Sequence, residues 1–372
     1  MSVDYEIRVG GPFLDEVDID CVVKVLREGR LSGGIYSEIF EKEFAKFIGV
    51  KHAVAVNSAT SALQLMLAAK DIGKNDEIIT TPYTYAATAN VIVLQGAKPI
   101  FVDIEMDSYN IDTTKIEEAI SKNTKAIMPI HYGGQSSDME QLVKLGKENN
   151  LQVFEDAAPA AGATYKGKKV GNIGDAAAFS FFPDKNMTTG EGGMLTTNSD
   201  EIAKRAQIMK RGGAKSRYYH TEIGWNFKMA DPNAALGISQ LKKLPEIIKE
   251  KQKTASYYSK LFQEELCNEI IIPKIKKDRN HTFNLFSIRF KNEKTRNSVK
   301  KYLDEKRIES RICFPPVHLQ PIYQKLFNFK SNSFPNSELS AKTTLCMPMI
   351  LGLTDSVQEK IVNHVKEAIR KI

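Results

Sequence analysis

The chain has 372 residues, 42% of them hydrophobic and 26% charged, with a formal net charge of +7 and a pI of about 8.9. That is an ordinary globular composition, long enough for about two domains and a large buried core. The lysines are spread along the chain, with short clusters such as KIKK at 274–277; they read as a solvated surface or as a modest field for a negatively charged substrate, and no RNA or DNA module pattern is present.

Residues 1–12 read as extended and end in Gly10–Gly11–Pro12. Residues 14–29 carry Val17, Cys21, Val22, Val25 and Leu26 at helical spacing, with a glycine stop. LSGG at 31–34 is a turn, and 38–48 is a second amphipathic helix. His52–Val56 is a short apolar strand, and Asn57–Ser61 opens a helix over Ala62–Lys70. Small and hydroxyl residues at a helix start cap its free N–H groups. The same geometry accepts an anion, because those N–H groups and a dipole charge of roughly +0.5 face outward.

Asp76–Thr81 is the next strand, and PYTYAATANVIVLQGA turns into a helix. Pro99–Val102, Ala126–Ile130 and Leu151–Phe154 are further apolar strands, with helices predicted at about 113–121 and 137–149. Strand alternating with helix implies a parallel sheet with right-handed crossovers, here a large domain over 1–250.

The strand LQVFED ends in Asp156 and is followed by small residues. An acid at the carboxyl end of such a strand points into the ligand crevice. The next apolar run, Ala176–Phe182, leads to Lys185 and then to TTGEGG, where Gly190, Gly192 and Gly193 permit close approach and positive φ. A lysine in a dry, crowded pocket can hold a neutral amine that attacks a carbonyl. An acid followed by a lysine on the next strand is what a pyridoxal phosphate site requires: the lysine holds the aldehyde as a Schiff base, and the acid keeps the pyridine nitrogen protonated.

Glu201–Lys210 is helical, and a basic, glycine-containing loop follows at 210–220. Residues 233–264 form a long helical pattern broken near Pro245. From about 265 the order changes to a strand (Asn284–Phe290), a helix (Lys294–Lys306), coil, and a terminal helix from Asp355. This suits a smaller α+β domain over 251–372.

Four cysteines (Cys21, Cys267, Cys313, Cys346) form no CxxC, which fits a reducing compartment. Six scattered histidines lack metal-ligand spacing, so no metal is expected. No GxGxxG follows the first strand, no apolar run reaches ~20 residues, and MSVDYEIRVGG does not read as a signal peptide. The expectation is a cytoplasmic protein with no nucleic-acid or membrane partner.

With Gly49–Leu63, EDAA at 155–158, FSFFPDKNMTTGEGG, IGWNFKMADPNAALG at 223–237 and PPVHLQPIY at 315–323 in view, nearly the whole chain resembles the sugar-nucleotide aminotransferases of the DegT/StrS type. The resemblance implies the aspartate-aminotransferase-like α/β fold of the fold-type I pyridoxal phosphate enzymes. Such a fold has a mostly parallel seven-stranded sheet flanked by helices and a smaller C-terminal α+β domain. It places the cofactor phosphate at Ala59 and Thr60, where Ala59 replaces a commoner glycine, and at Ser180. It lays Tyr85 on the ring, sets Asp156 at the ring nitrogen, and bonds Lys185 to the aldehyde. Asn226 would reach a neighbouring chain's phosphate, making an obligate homodimer with shared sites. Lys228, where arginine is frequent, would lie near acidic substrate groups, His318 at the rim, and LSGG near the substrate entrance. Pro159 departs from the pattern, since a polar residue usually meets the ring oxygen there.

The implied reaction is ping-pong transamination from glutamate to a nucleotide-linked keto-sugar. TTGEGG resembles members that aminate C4 of the hexose more than C3, so a 4-keto-6-deoxy sugar on GDP, UDP or dTDP is the expected acceptor, as in perosamine synthesis. Two alternatives remain open. A dehydratase of the same fold commonly replaces the lysine by histidine, and Lys185 counts against it. A non-catalytic regulatory protein that kept the fold is expected to lose Lys185 or Asp156.

Overall fold

Short runs of small and β-branched apolar residues pair into one sheet in the computed structural model, which describes residues 4–32 and 34–372. Its strands are β1 (His52–Val56), β2 (Glu77–Thr80), β3 (Lys98–Phe101), β4 (Thr124–Ile127), β5 (Gln152–Asp156), β6 (Ala176–Ser180) and β7 (Gly193–Thr197). The spatial order is β1-β7-β6-β5-β4-β2-β3. Only β7 runs antiparallel to its neighbours, so the sheet is mostly parallel, as expected.

Helices cover both faces, as a parallel sheet requires. Val54, Phe154, Ala178 and Leu195 share a core with α3 (Ala59–Ala69), α4 (Ala87–Leu94) and α6 (Asp200–Met209). The alternate residues Ala55, Ala177, Phe179 and Met194 pack with α2 (Ile35–Ile48) and α7 (Asp231–Leu266). Asp138 caps α5 (Met139–Asn149), and Asp15 and Asp18 form a capping box on α1 (Glu16–Arg27).

Three sequence expectations are corrected here. The helix expected at 113–121 is two 3₁₀ turns, Thr113–Lys115 and Glu117–Ala119. Asp112 bonds the Thr114 N–H and hydroxyl, a local alternative that competes with helix. The helix around Pro245 is continuous over 36 residues. Pro245 removes one N–H, and burial of Leu241, Leu244, Ile247 and Ile248 carries the helix through it. The coil expected before the last helix contains α9 (Pro321–Phe327), α10 (Pro335–Thr343) and a strand.

That strand is β10 (Thr344–Met347), which pairs with β9 (Phe286–Phe290), itself paired with β8 (Ile270–Ile271), all antiparallel. α8 (Glu293–Glu305) and α11 (Asp355–Arg370) cover this second sheet. α7 packs on the first core up to Ile248 and on the second from Ala255. Among the described residues, no helix is long and apolar enough to cross a membrane, and no cluster of three or more His, Cys, Asp or Glu side chains could hold a metal ion.

Candidate active site

Strand register brings the predicted residues to one edge of the sheet. Val56, the last residue of β1, pairs with Gly193, which pairs with Ser180, the last residue of β6. One strand further, Asp156 ends β5 beside Ala178. Two residues, Asn57 and Ser58, separate β1 from α3, with Ser58 as N-cap accepting from Ser61 N–H. Its first turn carries no acidic residue, so the N–H groups of Ala59 and Thr60 face the same edge with the dipole unopposed. Gly193 sets how close the strands come: a Cβ there would sit 2.4 Å from the Ser58 carbonyl carbon and 2.5 Å from Ala59 N.

Asp156 is 3% exposed. Its Oδ2 accepts from Thr88 Oγ1 at 2.7 Å and its Oδ1 from Ala158 N at 3.2 Å. Burial raises its pKa; the Thr88 hydroxyl, the Ala158 N–H and the charges of His131 and Lys185 pull the other way. Thr88 also hydrogen-bonds Thr84 Oγ1 at 2.8 Å and the Tyr85 carbonyl at 3.2 Å. Tyr85 itself is 66% exposed, with its ring 6.4 Å from Phe314.

Lys185 lies in the turn after β6, and Lys185 N–H donates to the Phe182 carbonyl at 3.0 Å. Its Nζ is 2.9 Å from Asp184 Oδ1, a close charge contact without hydrogen-bond alignment. Asp184 Oδ2 is 3.5 Å from Arg311 Nη1. The TTGEGG loop closes back on β6: Thr188 Oγ1 and Thr189 N–H donate to the Phe181 carbonyl, each at 2.9 Å. Gly190 takes φ +78°, which a side chain rarely adopts.

Glu155, beside the acid, has a structural task. Fully buried, it accepts from His131 Nε2 and from the N–H groups of Gly171, Ile173 and Gly174. Burial pushes its pKa up, but these donors win and hold it below the usual range. The pair anchors β5 from below while Asp156 faces the cleft.

Of the remaining predicted residues, Asn226 and Lys228 lie along the same edge and His318 does not. The 226–228 segment runs beside the end of β1: Asn57 N–H donates to the Phe227 carbonyl at 2.9 Å, and Lys228 bridges Val56. Asn226 is exposed and Lys228 half-buried. His318 does not line an open rim. It is fully buried, with Nε2 3.1 Å from Glu338 Oε1 and its ring edge-to-face with Phe334. The apolar residues flanking it draw it inward, and burial lowers its pKa against Glu338's pull. Pro159 sits three residues beyond Asp156, half-buried. In the LSGG turn, Gly33 lies outside the described residues; Gly34 N–H donates to Asp231 Oδ1 at 3.2 Å.

Sequence reasoning missed Thr88, Asp184, Arg311 and Lys251. Thr88 was one helical turn from Tyr85, and Asp184 adjoined the lysine. Nothing local marked Arg311 or Lys251, which arrive from distant segments.

The residues fit pyridoxal phosphate. A helix N-terminus free of acids suits its phosphate, a buried carboxylate with two neutral donors suits its ring nitrogen, and a lysine amine shares their cleft.

A profile of the DegT/DnrJ/EryC1/StrS aminotransferase family matches residues 12–366. The chain is 40% identical over 375 residues to the spore coat polysaccharide biosynthesis protein SpsC of Bacillus subtilis, covering 96% of each. It is 37% identical over 361 residues to GDP-perosamine synthase of Caulobacter vibrioides, again covering 96% of each. Its structure matches Helicobacter pylori PseC, an aminotransferase involved in the biosynthesis of pseudoaminic acid, with a TM-score of 0.92 at 31% identity, covering 99% of this chain and 100% of that one.

Proposed function

This chain belongs to the DegT/DnrJ/EryC1/StrS aminotransferase family, and from that membership we propose that it transfers an amino group from glutamate to C4 of a nucleotide-linked 4-keto-6-deoxyhexose. It is a sugar aminotransferase, and its cofactor is pyridoxal phosphate. The C4 position is supported by the TTGEGG loop at 188–193 and by the likeness to GDP-perosamine synthase, and the assignment of site residues by the shared strand edge. Asp156, Ser180, the start of α3 and the Lys185 turn lie within neighbouring strands of one sheet.

Bound pyridoxal phosphate supplies an aldehyde for amine exchange and a ring that draws electrons from Cα. Lys185 Nζ would hold the cofactor aldehyde in the resting protein. As a free amine, Lys185 Nζ would serve as the general base and acid at the substrate Cα, help worth ~10²–10⁴-fold. Asp156 holds the proton on the ring nitrogen, and Thr88 keeps the carboxylate in place. The Ala59 and Thr60 N–H groups and the Ser180 hydroxyl bind the phosphate, and Tyr85 covers the ring. The same residues would serve the amino donor and the keto-sugar in turn, so ping-pong kinetics would be expected.

Asn226 completes the phosphate site of a second copy, and Lys228 meets the acidic part of the substrate. Exposed Phe13, Leu14, Val17, Leu31 and Ile35 support a homodimer through the α1–α2 side. The test is a visible spectrum with pyridoxal phosphate, then glutamate, then keto-sugars on GDP, UDP and dTDP. A yellow band forms, Lys185→Ala does not form it, glutamate bleaches it, and one keto-sugar restores it. A band that glutamate leaves unchanged removes the donor assignment, and no band removes the site assignment.

A further inference from the structure

Two buried tyrosine hydroxyls meet one carbonyl beside the cleft, and the proposed reaction uses neither. Tyr83 follows β2 and is fully buried; Tyr132 lies in the turn after β4 and is 4% exposed. The Cys313 carbonyl accepts from Tyr83 Oη at 2.7 Å and from Tyr132 Oη at 2.8 Å. Both acceptor sites of that carbonyl are thereby filled. Tyr132 Oη is also 3.1 Å from Ser287 Oγ on β9. The contact therefore ties the ends of strands in the first sheet to the second.

Packing alone does not call for the hydroxyls. The two rings stack with centroids 5.3 Å apart, in an apolar cluster with Ile104 and Ala341 and against Leu285 and Phe314. Phenylalanine would fill the same space. A buried phenol needs a hydrogen-bond partner. Burial pushes both phenols up in pKa, so each hydroxyl keeps its proton and stays a donor.

What they hold is a segment with no ladder of its own. Residues 312–316 form neither helix nor strand, and Pro315 and Pro316 have no N–H to donate. Its ends are pinned: Arg311 N–H donates to the Cys346 carbonyl on β10 at 3.1 Å, and Val317 N–H to the Pro82 carbonyl at 2.8 Å. From this segment two side chains reach the site. Arg311 Nη1 is 3.5 Å from Asp184 Oδ2, and Asp184 Oδ1 is 2.9 Å from Lys185 Nζ. The Phe314 ring is 6.4 Å from that of Tyr85 and edge-on to that of Tyr132 at 6.3 Å. Tyr83 and Tyr85 belong to the same PYTY stretch at 82–85, so one short run both clamps the segment and receives Phe314.

We propose that Tyr83 and Tyr132 are positioning residues for the transfer reaction: their hydroxyls, paired on the Cys313 carbonyl, hold residues 311–314 across the cleft and so keep Phe314 against Tyr85 and Arg311 against Asp184. The inference rests on the aminotransferase reading, in which Tyr85 covers the ring and Lys185 is the reactive lysine.

The test uses Tyr83→Phe, Tyr132→Phe and the double variant, which remove the hydroxyls and keep the rings. The first readout is amide hydrogen exchange of the full-length, cofactor-free chain, read by peptide mass spectrometry. Exchange over 311–317 is expected to rise about fivefold in each single variant, the weight of one neutral hydrogen bond, and further in the double variant, while α11 stays as in wild type. The second readout is the protein loaded with pyridoxal phosphate. The visible band is expected to form in every variant, with weaker visible circular dichroism and a kcat about tenfold lower in the double variant, since misplaced contacts at a site lower its rate. Exchange over 311–317 within twofold of wild type, or a rise shared equally by α11, overturns the clamp. Local release with dichroism and kcat within twofold of wild type overturns its role at the site. If the double variant does not fold, the single variants decide. Exchange needs no cofactor, so a chain that forms no visible band removes the aminotransferase reading, and with it the role at the site, while the clamp is judged by exchange alone.

Discussion

Replacing Gly193 by alanine tests the phosphate site by contact alone. Gly193 opens β7 and is laddered to Val56 on one side and Ser180 on the other. An added Cβ would lie 2.4 Å from the Ser58 carbonyl carbon and 2.5 Å from both Ala59 N and Ser58 O. Real Cβ atoms do not come that close to backbone, so something must shift. β7 is held by two ladders, whereas the start of α3 is held by its cap, and the cap yields. Overpacking of this kind costs about 1–3 kcal/mol. If the displaced N–H groups are the phosphate ligands, that cost appears in cofactor affinity, about 5–150-fold at 1.4 kcal/mol per tenfold. The assay is an absorbance titration of the cofactor-free protein with pyridoxal phosphate, beside its thermal melt. A folded Gly193→Ala protein with a Kd within twofold of wild type would show that the phosphate is held elsewhere.

Thr88→Val keeps shape and removes the 2.7 Å hydrogen bond to Asp156. A bond to a charged group contributes about 1.5–3 kcal/mol, so kcat/KM should fall roughly tenfold or more while the visible band still forms; unchanged kcat/KM would remove Thr88 from the site. Lys251 makes a pH prediction. Its folded pKa of about 8 lies below its ordinary 10.5, so the unfolded chain binds the extra proton between them and stability rises with pH across that window. At 1.36 kcal/mol per unit this amounts to about 3 kcal/mol. The urea stability of Lys251→Met relative to wild type should therefore fall by that amount between about pH 7.5 and 10.5, and a pH-independent difference would mean the ammonium is not buried.

The alternation of strand and helix and the two chemical motifs were legible because they are local. LQVFED announces its own strand and its acid, and FSFFPDK its strand and its lysine. The order of strands in the sheet was not, because no residue pattern states that β7 inserts between β1 and β6. The same limit explains Lys251 and Arg311, whose neighbours are more than 60 and 120 positions away in the chain. His318 misled for a different reason. Its sequence surroundings, PPVHLQPIY, read as a loop. Phe334 and Glu338, which bury it, come from the later α10 region.

The reversal of β7 explains why the lysine is where it is. A parallel strand must be reached by a crossover that carries the chain to the opposite edge of the sheet. An antiparallel neighbour can be reached by a loop that never leaves the edge. Residues 181–192 join β6 to β7 in that way, so Lys185 stays at the carboxyl ends of the strands beside Asp156 and Ser180. The loop's return also delivers Gly193 against α3, so one connection positions the amine and sets how closely the turn opening α3 packs. Pulling that loop down by Thr188 and Thr189 on Phe181, and bracing it from below with Lys251 on Asn186, costs the fold a buried charge. A chain selected for stability alone would place an apolar residue at 251.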